Sequence, residues 1–145
     1  QKMISIEVFS EEKAWSKKIK KKDIFFKKIC NLFPRKYRFH HKKIKKLNKE
    51  FRNKNKSTDI LSFPIKKKVK ILNKTYIGDI IISYNFINKT KFQQPKYFKK
   101  KLIKTFIHGF LHLLGFDHVK DKDYMKMFKE EEKIYQSVIS KTKLN

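Results

Sequence analysis

A single cysteine, Cys30, occurs among the 145 residues, so no disulfide can form within the chain. Glycine and proline are scarce as well, at three residues each. No Pro/Gly/Ser-rich linker, internal repeat or shift in composition divides the sequence, and residues 1–145 read as one domain of ordinary size. No apolar run approaches the roughly 18 residues of a membrane helix, and the opening Gln1–Glu7 lacks the long apolar stretch of a secretory signal. Together these absences point to a reducing, cytoplasmic location without a membrane partner.

Acidic residues are also few: 13 against 39 basic ones, a formal net charge of +26. A chain this basic attracts polyanions, RNA or DNA above all. A second account of the charge stands beside that one. Nearly all the basic residues are lysine, with arginine only at 35, 38 and 52. The abundance of Lys, Ile, Asn and Phe matches A/T-rich codons, so part of the excess is accounted for by genome bias and solvated surface.

What is present is enough for a core, with 39% hydrophobic residues and fourteen phenylalanines. Ile4, Ile6 and Val8 alternate with polar residues and predict an opening strand. Trp15, Ile19, Phe26, Ile29 and Phe33 recur at helical spacing until Pro34 ends the segment. Ile44, Leu47 and Phe51 fit a shorter second helix. Asp59–Phe63 reads as a short buried strand closed by Pro64, and residues 66–70 as a basic connection. Tyr76–Ser83, with Ile80-Ile81-Ile82, predicts a central strand, and residues 85–91 a short helix. After the break at Gln93-Gln94-Pro95, residues 96–114 are helical, with Leu102, Phe106, Phe110, Leu113 and Leu114 on the apolar face. Asp121 serves as N-cap for a last helix to about Ile139. Strands at the start and middle with helices around them give an α+β class: a small mixed β-sheet, surrounding helices, and a metal site at the end of a central helix.

That site is predicted from His108-Gly109-Phe110-Leu111-His112-Leu113-Leu114-Gly115-Phe116-Asp117-His118. His108 and His112 are four apart, which on a helix puts both imidazoles on one face, one turn apart. Gly115 can adopt a left-handed conformation and turn the chain back, so that His118 offers a third nitrogen. Three neutral imidazoles leave one tetrahedral position for water, the ligand count of catalytic rather than structural zinc. A lone histidine pair would be more often structural; the third histidine and the glycine at the turn raise the signal. His40 and His41 lie in a basic stretch and read as solvated. The spacing is similar to the metzincin pattern H-E-x-x-H-x-x-G-x-x-H, but Gly109 stands where a protease keeps its general-base glutamate, which disfavours peptide hydrolysis. Asp117 can orient a ligand histidine or hold the turn.

The segment also matches H-G-x-L-H-L-x-G-[YF]-D-H at every fixed position. Upstream, Leu47–Arg52 fits L-N-x-x-[YF]-R, Thr58–Pro64 looks like T-D-V-L-S-F-P, and Gly78-Asp79-Ile80 fits G-D-I/V. In this order, over about residues 47–135, the motifs resemble the YbeY endoribonucleases, or rRNA maturation factors. The resemblance implies a metal-dependent RNA hydrolase acting on single strands in bacterial ribosomal RNA maturation and ribosome quality control. Its partners would be ribosomal RNA and the small ribosomal subunit. It implies one Zn2+ per chain on His108, His112 and His118, and a functional arginine at Arg52, whose fork suits a phosphodiester. Ser62 and Thr58 read as structural. No general base is evident, and which residues bind the nucleic acid is left open. The resemblance further implies a strand between the first helix and Leu47, for which Lys36-Tyr37-Arg38-Phe39 is the candidate. A non-catalytic ribosome-associated RNA-binding factor with a bound metal is the second reading, a metalloprotease the third.

Overall fold

The computed structural model describes residues 5–9, 14–38, 42–48, 60–71, 74–82, 84–88 and 94–144. His40, His41, Phe51, Arg52 and Thr58, all named above, lie outside them. Among the described residues, no helix is long and apolar enough to cross a membrane.

The elements run β1 (Ser5–Phe9), α1 (Ala14–Lys18), α2 (Lys22–Asn31), α3 (Arg35–Arg38), β2 (Lys42–Asn48), β3 (Ile60–Ile71), β4 (Lys74–Ile82), α4 (Tyr84–Ile87), α5 (Pro95–Leu113) and α6 (Asp121–Ile139). The four strands form one sheet in the order β1-β2-β4-β3. β1 pairs with β2 and β2 with β4 in parallel, while β3 runs antiparallel to β4, so the sheet is mixed. β4 is flanked on both sides, and its Ile80 and Ile82 are fully buried.

Several sequence expectations need correction. The segment from Trp15 to Phe33 is two helices, not one, separated at residues 19–21. The turn between Ile19 and Phe26 offers only Lys22 and Asp23 to the apolar stripe, so nothing there holds a continuous helix on the core. Ile44 and Leu47 lie in β2 rather than in a helix. A register shift between Ile44 and Lys46 breaks strict alternation, so a bulged strand shows a spacing of three that imitates a helix. The strand implied before Leu47 is therefore this one, and Lys36–Arg38 belongs to α3. Pro64 does not close β3, which continues through residues 66–70 to Ile71. β3 is an edge strand, where a proline's missing N–H breaks no ladder on the outer side, and the register slips between Pro64 and Val69. Asp121 is the first residue of α6 rather than its cap; Lys120, still extended at φ −97° and ψ 146°, holds the cap position. Asp121 and Asp123 instead set negative charge in the first turn, where the helix dipole favours it.

The central element is α5. Pro95 opens it with a φ already suited to a helix. Ten of its residues are buried, and it packs against β3, β4, α4 and α6. Phe106 meets Phe26 edge-on with ring centroids 5.2 Å apart, and Phe110 meets Phe33 in the same way at 5.2 Å. These contacts tie α5 to α2 and to the turn just beyond it. α6 is fastened to α3 by Glu130, which accepts hydrogen bonds from the Tyr37 hydroxyl and the Lys36 ammonium. That bonding holds the Glu130 carboxyl below its usual range, the Tyr37 hydroxyl contributing most. Phe106 is fully buried, so Phe106→Ala is expected to lower the unfolding free energy by about 3–5 kcal/mol in urea titrations, through lost transfer energy and the cavity left behind. A loss below about 1 kcal/mol would show that the α2–α5 seam is not the core.

Candidate metal centre

The C-terminal end of α5 shapes the site. Leu114 is the last residue with helical dihedrals, and Gly115 follows at φ +100°, a region that side chains with a Cβ rarely adopt. The Gly115 N–H donates to the His112 carbonyl at 3.0 Å and the Phe116 N–H to the Leu111 carbonyl at 3.0 Å. This double closure is the Schellman motif, which satisfies carbonyls that the helix end leaves without partners. The reversal returns the chain toward α5, so that the Phe116 carbonyl accepts a hydrogen bond from His112 Nδ1 at 2.9 Å. One residue on, the Asp117 carboxylate accepts from the His118 N–H at 2.7 Å and pins the backbone that carries the third imidazole.

The structure thus brings His108, His112 and His118 together. Ring centroids are 4.6 Å apart for His108 and His112, 5.0 Å for His112 and His118, and 5.3 Å for His108 and His118. One nitrogen from each ring lies within 4.8 Å of the others, so the cluster could hold a metal ion. His108 and His112 are partly buried and His118 is exposed.

The hydrogen bonds settle which nitrogens face inward. His108 Nδ1 bonds the Glu131 carboxylate, contributed by α6, and His112 Nδ1 bonds a carbonyl. An ionised carboxylate and a carbonyl can only accept, so the Nδ1 atoms carry the protons. A neutral imidazole has one N–H, which leaves a lone pair on each Nε2. The two Nε2 atoms are 3.0 Å apart. Facing lone pairs at that distance repel unless a proton or a cation lies between them. Protonation is disfavoured at His112, whose pKa lies below the ordinary histidine value, chiefly through burial and then through neighbouring His108. Three clustered imidazoles, two of them with Nε2 atoms converging and Nδ1 atoms committed elsewhere, are the donor set a soft-to-borderline divalent metal takes.

Glu131 is the site residue that sequence reasoning missed. It sits between Glu130 and Glu132, and its partner is 23 residues earlier, so no local spacing singles it out. Gly109, where a metzincin carries glutamate, is buried within α5.

The sequence and fold have close counterparts among known proteins. The family model described as Endoribonuclease YbeY matches residues 9–139. An "Endoribonuclease YbeY" of Pelagibacter ubique is 52% identical over 151 residues, covering 96% of this chain and 99% of the relative. One from Persephonella marina is 36% identical over 98 residues, covering 67% of this chain and 64% of the relative. A Thermotoga maritima protein of known solution structure superposes with a TM-score of 0.52 at 26% identity, over 95% of this chain and 90% of that one.

Proposed function

This chain belongs to the Endoribonuclease YbeY family, and on that premise we propose that it is a zinc-dependent, single-strand-specific endoribonuclease of bacterial ribosomal RNA maturation and ribosome quality control. On this reading residues 1–145 are one hydrolase domain working in the cytoplasm on ribosomal RNA of the small subunit. The observation that carries the reading is the approach of His108 Nε2 and His112 Nε2 to 3.0 Å, with both Nδ1 atoms engaged elsewhere and His118 closing the triangle.

His108, His112 and His118 hold one Zn2+ per chain; three protein ligands are the count of catalytic zinc rather than structural zinc. Bound there, zinc supplies Lewis-acid chemistry to a phosphodiester. Arg52 acts on the phosphate, gripping two of its oxygens with its planar fork and offsetting the charge that grows in the transition state. Its place rests on the L-N-x-x-[YF]-R motif. Asp117 and Gly115 hold the turn that presents His118. Glu131 is a positioning residue: its carboxylate keeps the His108 proton on Nδ1 and the His108 Nε2 directed at the metal.

The decisive test is metal content and cleavage of single-stranded RNA measured on the same preparation. About one zinc per chain together with cleavage supports the reading, and a 2′,3′-cyclic phosphate product identifies attack by the ribose hydroxyl rather than by water. Zinc without cleavage favours the second reading, a non-catalytic RNA-binding factor of the ribosome, for which the lack of an evident general base speaks. A folded chain that binds no metal overturns the central claim.

Glu131→Ala is expected to weaken zinc binding about 10- to 100-fold in chelator competition. Glu131→Gln should fall between, since its amide oxygen still accepts from Nδ1–H but without a charge. Unchanged affinity in both variants would remove Glu131 from the site.

A further inference from the structure

Aromatic and aliphatic side chains are normally spread thinly over a protein surface. Among the described residues six large hydrophobic side chains are exposed, and four of them, Val119, Tyr124, Met125 and Phe128, fall in the ten residues after His118. Tyr124 and Phe128 are one helical turn apart on α6, with rings nearly parallel at 15° and centroids 6.4 Å apart. They are 53% and 45% exposed. They also line a cavity of about 160 Å³ with His108, His118 and Glu131, floored by the buried Met127. Whatever occupies that cavity therefore touches two of the three clustered imidazoles. It is smaller than the roughly 300–1,000 Å³ of a cleft for a whole small-molecule ligand, and suits one planar ring.

We infer that Tyr124 and Phe128 form a stacking platform for an unpaired nucleobase of single-stranded RNA, seating the nucleotide beside the bond to be cut. The inference rests on the endoribonuclease reading and adds a substrate subsite to it. Two features select a nucleobase over another apolar group. The cavity opens onto the imidazoles, where the phosphodiester has to lie. The charge of the whole chain, +26, favours a polyanion; on α6 itself Asp121 and Glu131 share the aromatic face, and Lys122, Lys126 and Lys129 lie round the helix from it. Flat rings that stack the bases, on a protein that is strongly basic overall, match the usual arrangement for sequence-tolerant single-strand binding. A paired base presents no free face, so the platform also accounts for selectivity against duplexes.

The test uses the zinc-loaded full chain and two uncleavable probes of equal length: a 2′-O-methyl single-stranded RNA, and the same backbone with abasic positions. Wild type is expected to bind the base-bearing probe at least about 10-fold more tightly. Tyr124→Ala/Phe128→Ala should lose that preference while keeping its affinity for the abasic probe, which also shows that the variant is folded and its basic surface intact. The aromatic exchange Tyr124→Phe/Phe128→Tyr should retain the preference. A double-alanine variant that still prefers bases, or a wild type that binds both probes alike, overturns the platform. Were the patch a seat for a protein partner, both RNA affinities would be unchanged in the double-alanine variant, and the platform would be overturned in the same way. If wild type cleaves RNA normally while the variants bind as it does, only the platform falls. If wild type neither binds nor cleaves RNA, the endoribonuclease reading falls with it.

Discussion

His112→Ala should leave a chain that no longer retains zinc through gel filtration and shows no cleavage of single-stranded RNA above background. His112 is the middle member of the cluster, 4.6 Å from the His108 ring and 5.0 Å from the His118 ring. Without it the remaining two imidazoles are 5.3 Å apart at their centroids and give a two-ligand site, too few for tight zinc. The exchange also deletes the hydrogen bond to the Phe116 carbonyl, so some stability is lost; circular dichroism separates loss of metal from loss of fold. A folded variant that keeps stoichiometric zinc would refute the assignment.

Burial also changes how the same residue answers acid. Only neutral imidazole binds metal, so protons compete with zinc. Burial and the neighbouring histidines depress the His112 pKa; competition at this position therefore starts only below the ordinary histidine range near 6.5. For the metal-free chain the sign is the same. A folded-state pKa below the unfolded one means that the unfolded chain takes up the proton first. The stabilisation is thus present above the unfolded value and is lost as the pH falls from there through the folded value. In the metal-free chain the His112 imidazole, followed by NMR, should titrate on the acid side of pH 6.5, and a midpoint above that would contradict the burial argument.

Arg52→Ala is expected to reduce RNA cleavage by about 10²–10³-fold, the cost of removing one donor aimed at developing charge. Zinc content should be unchanged, because no metal-ligating atom is lost. Affinity for single-stranded RNA should drop only slightly, since one charge among 39 basic residues is removed. Arg52→Lys should restore little, because an ammonium is a point charge without the two-point geometry of a guanidinium. The informative pattern is a collapse of kcat with KM nearly constant. A variant with wild-type cleavage would return Arg52 to the general basic surface, and one that loses zinc as well would mark it as structural.

The two kinds of residue at this site differ in how far they can be read from sequence. His108 and His112 are legible because a helix repeats every 3.6 residues and puts positions four apart on one face. Gly115 is legible because few residues other than glycine accept its φ of +100°, and the turn it makes decides where His118 goes. All of this is local geometry within eleven residues. Glu131 is different. In the run Glu130-Glu131-Glu132 the side chains are chemically alike, and each is rotated about 100° from the last. Glu130 consequently reaches Tyr37 and Lys36, while Glu131 reaches His108. Which glutamate serves the site depends on how α6 docks on α5.

The strands divide in the same way. The apolar run Ile80-Ile81-Ile82 announces β4, with Ile80 and Ile82 buried and Ile81 partly so. β2 does not announce itself, since Lys42–Asn48 owes its conformation to ladders with β1 and β4 rather than to its own pattern. Pro64 reads as a terminator until the sheet order shows β3 at an edge, where the proline is tolerated. By itself, then, the sequence determined what is set within a few turns of chain: the central helix, its glycine-ended turn and the histidine cluster they carry. Only the tertiary structure decided the sheet order, the glutamate behind His108 and the aromatic pair beside His118. Those depend on contacts between distant segments, and no local period records them.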